Sequence, residues 1–253
     1  MQPNVGCEFI RRLRLLVIAI NRIRRVSEDE VIAEFLRGEF HHPEFDQDRE
    51  RFAAVVNRVS SSHQREADLR RSLLFRRRGH VWRELPPETQ WWQVKVEADD
   101  VRKMNVFTRR HWPQMNPKDH SVPAFAEGMR SARVSRIPAA EAAKIFSLQK
   151  RMAEGYAGND VILLVGVDEH QPTTILEGNN RVIAAQLEDP ATVPSRFRFF
   201  LGISPSMSKC IFYKHTPANF RNYLWHRLIH ATLHPSRGFN YREAYFEGEK
   251  NYR

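Results

Sequence analysis

Five consecutive residues, Glu177-Gly178-Asn179-Asn180-Arg181, combine the side chains best suited to chemistry in this sequence. A short apolar run, Thr174–Leu176, precedes them, and an Ala-rich stretch follows at once. This order predicts a strand, a glycine turn and then a helix, because glycine adopts backbone conformations that other residues avoid. Arg181 would then lie in the first turn of the helix, beside backbone N–H groups that have no partner within it.

A helix that begins in this way is suited to binding an anion. The N-terminal end of a helix carries partial positive charge, which disfavours a cation there. An arginine in the first turn is therefore best explained if an anion, typically phosphate, contacts both the arginine and the N–H groups. An alternative also stays open, a plain strand–turn–helix in which Asn179 and Asn180 form the turn and Arg181 is solvated.

These residues resemble the ParB/sulfiredoxin-like superfamily, in which a GxxR box binds the phosphates of a nucleotide. The resemblance covers roughly residues 134–200 and includes the Ala-rich helix and Thr192-Val193-Pro194. ParB proteins carry Glu just after the glycine and use CTP, whereas sulfiredoxin carries a Cys there and uses ATP. The nearest branch by motif is the free serine kinase type, with an acidic-Gly-His-His-Arg box. In this chain Asn179 and Asn180 replace both histidines, and the sulfiredoxin Cys is lacking.

The resemblance implies an α+β fold with a small mixed sheet, ATP or CTP as the bound nucleotide, and Mg²⁺ as cofactor. Gly178, Asn179, Asn180 and Arg181 would bind the nucleotide. Glu177 would be the catalytic residue, serving as the Mg²⁺ ligand or, if desolvated, as general base toward a substrate hydroxyl. The two asparagines cannot carry protons, so their part would be to donate hydrogen bonds to phosphate oxygens.

The leading hypothesis is a Mg²⁺-dependent phosphotransferase, a kinase, that acts on a small molecule. A ParB-like DNA-binding protein with a nucleotide-dependent switch and a nuclease of the same superfamily remain open alternatives, as does a homodimer. The DNA-binding alternative draws on the positive charge, but no helix-turn-helix pattern follows Pro194. The sequence contains neither a G-x-x-x-x-G-K-[ST] loop nor the protein-kinase signature set.

The composition points to an anionic partner. The 253 residues have a formal net charge of +10, and 32 of the 40 basic residues are arginine, a bias that a GC-rich genome also produces. The uninterrupted apolar core Leu15–Ile20 is much shorter than the roughly 20 residues that span a membrane. Arginines occupy the place of a signal-peptide cleavage site. We therefore expect a soluble cytoplasmic protein without a membrane partner.

Other residue clusters have structural explanations beside functional ones. The run Arg76–Arg78 could clamp a phosphate backbone or offset the dipole at a helix end. His41-His42 lack a third metal ligand at helical or hairpin spacing. Cys7 and Cys210 form neither a disulfide framework nor a zinc pattern. Trp112, beside arginines and before a proline, could stack on a base or act as a packing anchor.

The predicted elements divide the chain into a helical N-terminal region (1–85), an α/β domain (86–215), and a C-terminal helix and tail (216–253). In the first region, helical spacing and a capping box at Ser27 predict four helices. They run through 13–23, from 28 to Gly38, through 49–56, and up to 73–75. In the second, alternating or unbroken apolar runs predict strands at 91–96, 161–165, 173–176, 197–203 and 210–213. Further helices are expected at 99–104, 125–129, 139–152, after Gly178, and at 219–233.

Overall fold

The computed structural model is a mixed α+β protein, and it describes residues 19–40, 43–57, 64–107, 119–131, 137–155 and 160–232. Within these ranges the strands are β1 Asn21–Val26, β2 Gln90–Lys95, β3 Met104–Asn105, β4 Val161–Gly166, β5 Thr173–Glu177 and β6 Arg198–Ile203. The helices are α1 Glu28–Glu39, α2 Arg49–Asn57, α3 Gln64–Trp82, α4 Ala98–Arg102, α5 Val122–Arg130, α6 Ala139–Ala153, α7 Asn179–Glu188, α8 Val193–Arg196 and α9 Pro217–Thr232.

All six described strands belong to one mixed sheet, in the order β1-β2-β6-β4-β5-β3. β1, β2 and β6 pair antiparallel, β6 and β4 pair parallel, and β5 pairs parallel with β3. The predicted hairpin of β4 and β5 is confirmed, with Leu164 opposite Ile175. Every residue of β4 is buried, as its unbroken apolar run predicts for an interior strand.

Helix α1 begins where its capping signal predicts. The Ser27 side chain accepts the backbone N–H of Glu30, and Glu28, Asp29 and Glu30 place acidic side chains in the first turn. Both features offset the unpaired N–H groups and the positive end of the helix dipole. The helix extends to Glu39.

The helix predicted through residues 13–23 is wrong at its end, because Asn21 already opens strand β1. β1 is an edge strand that pairs antiparallel with β2, a segment about 70 residues further along the chain. Its side chains from Asn21 to Arg25 are exposed, so apolar spacing could not reveal it. Residues 1–18, which hold the rest of that predicted helix, lie outside the described residues.

Three other predictions are also wrong, and the first is the helix predicted at 99–104, which ends at Arg102 before strand β3 begins at Met104. Helix α3 continues past Phe75 to Trp82, although Gly79 lies within it. Trp82 stacks on Trp91 at 5.8 Å between ring centroids and donates to Glu28, and this packing outweighs the roughly 1 kcal/mol that a helical glycine costs. The strand predicted at 210–213 is a turn, in which Tyr213 N–H donates to the Cys210 carbonyl.

One apolar core extends through the described residues, from Ile20 in the segment before β1 to Phe212 near α9. Helices α1 to α3 contribute to the same core as the sheet, so buried contacts cross the chain position, residue 85, at which the sequence was divided. Among the described helices, none has the length and apolar character that crossing a membrane requires.

Candidate phosphate-binding site

Gly178 is the single residue between strand β5 and helix α7, and its backbone conformation favours glycine. Its φ is +106°, a left-handed conformation that side chains disfavour. A Cβ at this position would also lie 2.4 Å from Cδ1 of the buried Ile162. The predicted order of strand, glycine turn and helix is therefore confirmed. We call residues 177–181 the glycine turn.

The first turn of α7 lacks the features that complete the start of a helix. Gly178, as the N-cap residue, has no side chain to accept a hydrogen bond, and the first turn contains no acidic residue. The Gly178 N–H donates to Oε1 of Glu177 at 3.1 Å. The following three N–H groups, of Asn179, Asn180 and Arg181, have no acceptor within the helix because of their position.

Arg181 folds back over this turn. Its Nη2 lies 3.4 Å from the position that a Cβ on Gly178 would occupy, and its side chain is half-buried. The guanidinium therefore adds a full positive charge close to the positive end of the α7 dipole. This is the arrangement of arginine and backbone N–H groups that the sequence predicts for binding an anion.

Two carboxylates adjoin the glycine turn, and only one of them is predicted from the sequence. Glu177 ends β5 and accepts the Gly178 N–H. Glu141, in the first turn of α6, accepts Nδ2 of Asn180 at 3.4 Å and Nζ of Lys144 at 3.0 Å. An acidic residue in a first helical turn is common, so the sequence gives no signal that Glu141 lies beside Asn180.

Asn179 uses its side-chain amide to hold the turn in place. Its Oδ1 accepts the backbone N–H of Phe107 at 2.8 Å, and its Nδ2 donates to the Ile175 carbonyl at 3.3 Å. The side chain thus joins the glycine turn to the segment after β3. Its backbone N–H remains at the helix start, so a contribution of Asn179 to anion binding would come from the main chain.

The oxygen atoms near the turn fit a magnesium ion that is shared with phosphate. Asn180 Oδ1 is buried and has no hydrogen-bond partner among the described residues. Mg²⁺ in nucleotide sites is held by one or two carboxylates, phosphate oxygens and water rather than by a full set of protein ligands. Within the described ranges no three His, Cys, Asp or Glu residues are grouped so that they could hold a metal ion.

Helix α7 is fixed along its body and at its far end. Its predicted apolar positions, Val182 through Ala185 and Leu187, are all buried, and the helix packs against α5 and α6. Arg130 donates to the Gln186 carbonyl at 2.5 Å and to the Leu187 carbonyl at 3.4 Å. This arginine stabilises the negative, C-terminal end of α7. The N-terminal end has no comparable capping side chain.

The positive charge of the chain lies mainly outside the described residues. The described ranges contain 27 Lys and Arg and 26 Asp and Glu, so they account for +1 of the total +10. Two arginines of the exposed strand β1, Arg22 and Arg24, pair with Glu169 and Glu30. The predicted candidates Cys7, His41-His42 and Trp112 lie outside the described residues, as do the side chains of Arg76–Arg78.

Comparison of the chain with protein-family models, with curated proteins and with solved structures found no match.

Proposed function

We propose that the glycine turn binds the phosphates of ATP or CTP together with Mg²⁺, and that the protein is a phosphotransferase of the ParB/sulfiredoxin-like kind acting on a small molecule. The observation that carries this proposal is the start of α7. Gly178 caps the helix without a side chain, and the Arg181 guanidinium lies against it. This combination of donors and charge is suited to a phosphate group.

The energetics favour an anion at this position. A positive charge at the positive end of a helix is disfavoured by roughly 0.3–1 kcal/mol. A phosphate contacting Arg181 and the N–H groups of Asn179 and Asn180 reverses the sign of the interaction. Each hydrogen bond to a charged group then contributes about 1.5–3 kcal/mol.

The chain's own residues divide the remaining work. When bound, the nucleotide supplies the phosphoryl group and Mg²⁺ offsets its charge. Glu177, oriented by the Gly178 N–H, either holds the metal or accepts the proton of the substrate hydroxyl. Glu141 is a second carboxylate available to the metal, and Asn180 Oδ1 can accept a hydrogen bond from a hydroxyl or from metal-bound water.

The charge of the described residues favours a nucleotide over a long polyanion as the ligand of this site. Non-specific DNA binding grows with the number of phosphates that basic side chains neutralise. The described ranges are close to electrically neutral, whereas the glycine turn concentrates Arg181 and several N–H groups at one point. At the glycine turn itself we therefore place DNA binding and nuclease activity behind phosphotransfer, while the net charge of +9 outside the described residues is the observation that favours them.

A thermal-shift panel of ATP, CTP, GTP and ADP, with and without Mg²⁺, tests the shared premise. A ligand at a hundred times its Kd stabilises the folded state by about 2.7 kcal/mol. In a chain of this size that corresponds to a rise in Tm of several degrees. We expect such a rise with at least one Mg²⁺-nucleotide, and the absence of any shift across the panel would end the proposal.

Glu177→Ala separates chemistry from binding. We expect the variant to bind nucleotide with nearly unchanged affinity and to lose phosphoryl transfer, because it removes either the metal ligand or the general base. Glu188→Ala is the matched control, since Glu188 lies at the opposite end of α7 and pairs with Arg196. Equal activity in the two variants would contradict the role of Glu177.

A further inference from the structure

Helix α9 has an exposed side on which large apolar side chains and a cation are interleaved. Phe220, Leu224 and Trp225 are 45%, 43% and 62% exposed, and Trp225 is the most exposed large apolar side chain among the described residues. Arg221 is exposed as well. At roughly 100° per residue, these four side chains occupy an arc of about 140°, in which Arg221 lies between Leu224 and Trp225. We call this side the aromatic–basic face.

The opposite side of α9 fixes the helix to the protein. Asn219 is buried, and it lies almost opposite the centre of the exposed arc. Its Nδ2 donates to the Ser208 carbonyl at 2.9 Å and to the Lys214 carbonyl at 2.7 Å. These contacts direct the aromatic–basic face outward. They also place Lys214, a second exposed cation, at the same end of the helix.

The two cations at this end of α9 differ from other basic residues of the protein in their surroundings. Arg22 and Arg198 contact carboxylates of other segments, and Lys209 lies near the Glu88 carboxylate. Among the described residues, neither Lys214 nor Arg221 has an acidic side chain within ion-pair distance. The region of the aromatic–basic face therefore carries two positive charges that no described carboxylate pairs with.

The sequence around α9 lacks acidic residues over a long range. Residues 190–242 contain eight Lys and Arg and no Asp or Glu, although 30 acids in 253 residues would place about six in a segment of this length. A basic segment of this kind favours a polyanionic partner, because affinity for nucleic acid rises with the number of phosphates that basic side chains neutralise.

We propose that the aromatic–basic face binds single-stranded nucleic acid, with a base stacked on the Trp225 indole and the adjoining phosphates at Arg221 and Lys214. Single strands expose the flat faces of their bases, which stack on aromatic side chains beside cations with little dependence on sequence. Residues four apart on a helix are about 5–6 Å apart, so Arg221 and Trp225 can contact the phosphate and the base of one nucleotide. The site uses no residue of the glycine turn and does not depend on the proposed phosphotransfer.

The position of Arg221 disfavours two other occupants of the face. A helix that lies in the surface of a bilayer separates its apolar side from its charged side, whereas Arg221 lies within the apolar arc. A second copy of α9 would bring two Arg221 guanidinium groups together, and like charges at an interface are unfavourable. An acidic peptide would meet the charges but would not need an aromatic ring at residue 225, and the experiments below use that difference.

Fluorescence anisotropy of the full chain with labelled oligothymidylate and oligouridylate tests the binding. Oligonucleotides of about 20 nucleotides are long enough for a site of roughly 4–16 nucleotides. We expect saturable binding of both single strands that weakens steeply with salt. A DNA duplex of the same length should bind about tenfold or more weakly, because its bases are already stacked on one another. Equal affinity for the duplex would show phosphate contacts alone and overturn the proposal.

Trp225→Leu separates base stacking from plain apolar contact. The variant keeps an apolar side chain without a ring, so its affinity for the single strands should fall about 5- to 150-fold, which corresponds to 1–3 kcal/mol per stacked base. Trp225→Tyr keeps a ring and should retain most of the affinity. The matched control is Phe146→Leu, which removes an exposed ring from α6 and should leave the affinity unchanged. An unchanged affinity in Trp225→Leu would overturn the proposal.

Arg221→Gln tests the phosphate contact. Loss of one phosphate contact should reduce the slope of the logarithm of affinity against the logarithm of salt concentration by about 0.7. The matched control is Arg65→Gln, which removes an exposed arginine from α3 and should leave that slope unchanged. The same slope in Arg221→Gln and in the unaltered protein would contradict the role given to Arg221.

Other occupants give distinct results, each of which overturns the proposal. Sedimentation with vesicles of anionic phospholipid that is lost in Trp225→Leu, without oligonucleotide binding, would assign the face to a lipid surface. A dimer mass in light scattering that becomes a monomer mass in Trp225→Leu would assign it to a second copy. Polyglutamate binding as tight as that of the oligonucleotides would assign it to an acidic peptide. The absence of oligonucleotide binding at low salt would also overturn the proposal.

Discussion

Helices α1 and α7 both begin one residue after a strand, but their first turns are built in opposite ways. Ser27 separates β1 from α1, and its side chain accepts the Glu30 N–H ahead of three acidic residues. Gly178 separates β5 from α7, offers no side chain, and is followed by an arginine instead of acids. The first turn of α1 has a capping side chain and acidic residues, whereas the first turn of α7 has neither and contains an arginine.

This difference separates a structural helix start from a candidate binding site. A capped first turn gains about 1 kcal/mol of stability and has little left to offer a ligand. An uncapped first turn with an arginine gives up that stability. A less stable helix start of this kind is expected at a ligand-binding site, because strained backbone conformations concentrate at functional sites. The comparison predicts different outcomes for substitutions in the two turns.

The largest effect is expected for Gly178→Ala. The left-handed φ costs roughly 1–2 kcal/mol for a residue with a side chain, and displacing the buried Ile162 adds roughly 1–3 kcal/mol. We therefore expect the free energy of unfolding, measured with urea, to fall by about 2–5 kcal/mol. Ser27→Gly in α1 should cost only a few tenths of a kcal/mol.

A double variant separates the two causes in Gly178→Ala. Ile162→Val removes the Cδ1 atom that the new Cβ would meet, at a cost of roughly 0.5–1.5 kcal/mol by itself. Combined with Gly178→Ala, Ile162→Val should restore the part of the unfolding free energy that is lost to the steric clash. The loss that remains is then the backbone strain of the positive φ. Additive losses in the double variant would show that the contact with Ile162 is unimportant.

Arg181→Ala should weaken nucleotide binding by roughly ten- to a hundredfold, because it removes a hydrogen bond to a charged phosphate worth about 1.5–3 kcal/mol. Isothermal titration with the best nucleotide of the panel gives the Kd. The matched control is Arg130→Ala at the opposite end of the same helix, where the arginine binds main-chain carbonyls. Arg130→Ala should lower stability and leave the Kd unchanged. A weaker Kd in Arg130→Ala together with an unchanged Kd in Arg181→Ala would contradict the role of Arg181 in binding phosphate.

Ser27→Ala should lower the free energy of unfolding by about 1 kcal/mol, the usual value of an N-cap hydrogen bond. Because α1 is complete without a ligand, the loss should be the same with and without saturating nucleotide, in urea titrations of both states. A change in nucleotide affinity in this variant would remove the distinction between the two helix starts.

The smallest expected effect is a dependence of the free energy of unfolding on pH, caused by His120, which precedes helix α5. Burial lowers the pKa of His120, nearby Asp119 raises it, and His215 lowers it again. Because the folded pKa lies below the ordinary value of 6.5, the unfolded chain binds the proton first as the pH falls. Stability should therefore be present above pH 6.5 and be lost below it as the pH approaches the folded pKa.

His120→Gln should remove the part of the stability loss on acidification that comes from protonation of His120. Comparing the Tm of the variant and of the unaltered protein at pH 7.5 and pH 5 measures this. His120 is connected to the glycine turn, since its carbonyl accepts the Val106 N–H and the next residue, Phe107, donates to Asn179. The same fall in Tm between pH 7.5 and pH 5 in both proteins would contradict this role of His120.

Local features of the sequence predicted much of this architecture. The unbroken run of β4, the glycine at 178 and the Ala-rich helix after it are each visible within a few residues, because strand, turn and helix preferences act over that distance. The Ser27 cap is of the same kind. The nucleotide and the kinase chemistry rest on a resemblance at those residues and stay predictions.

Other features depend on contacts between segments that are distant in the chain, and local sequence preferences do not predict them. Strand β1 exists because it pairs with β2, and α3 reaches Trp82 because that residue packs on Trp91, contacts made with segments distant in the chain. At the glycine turn, the partners of Asn179 and Asn180 are Phe107 and Glu141, which are 72 and 39 residues away in the chain.

The sequence by itself therefore determined the strand, the glycine and the helix of the candidate site, because each depends on the conformational preferences of neighbouring residues. Only the tertiary structure decided that Asn179 braces the turn, that Glu141 adjoins it and that Arg181 folds over Gly178. The physical reason is that side-chain partners are chosen by how the elements pack in space, and packing joins residues with no relation in sequence.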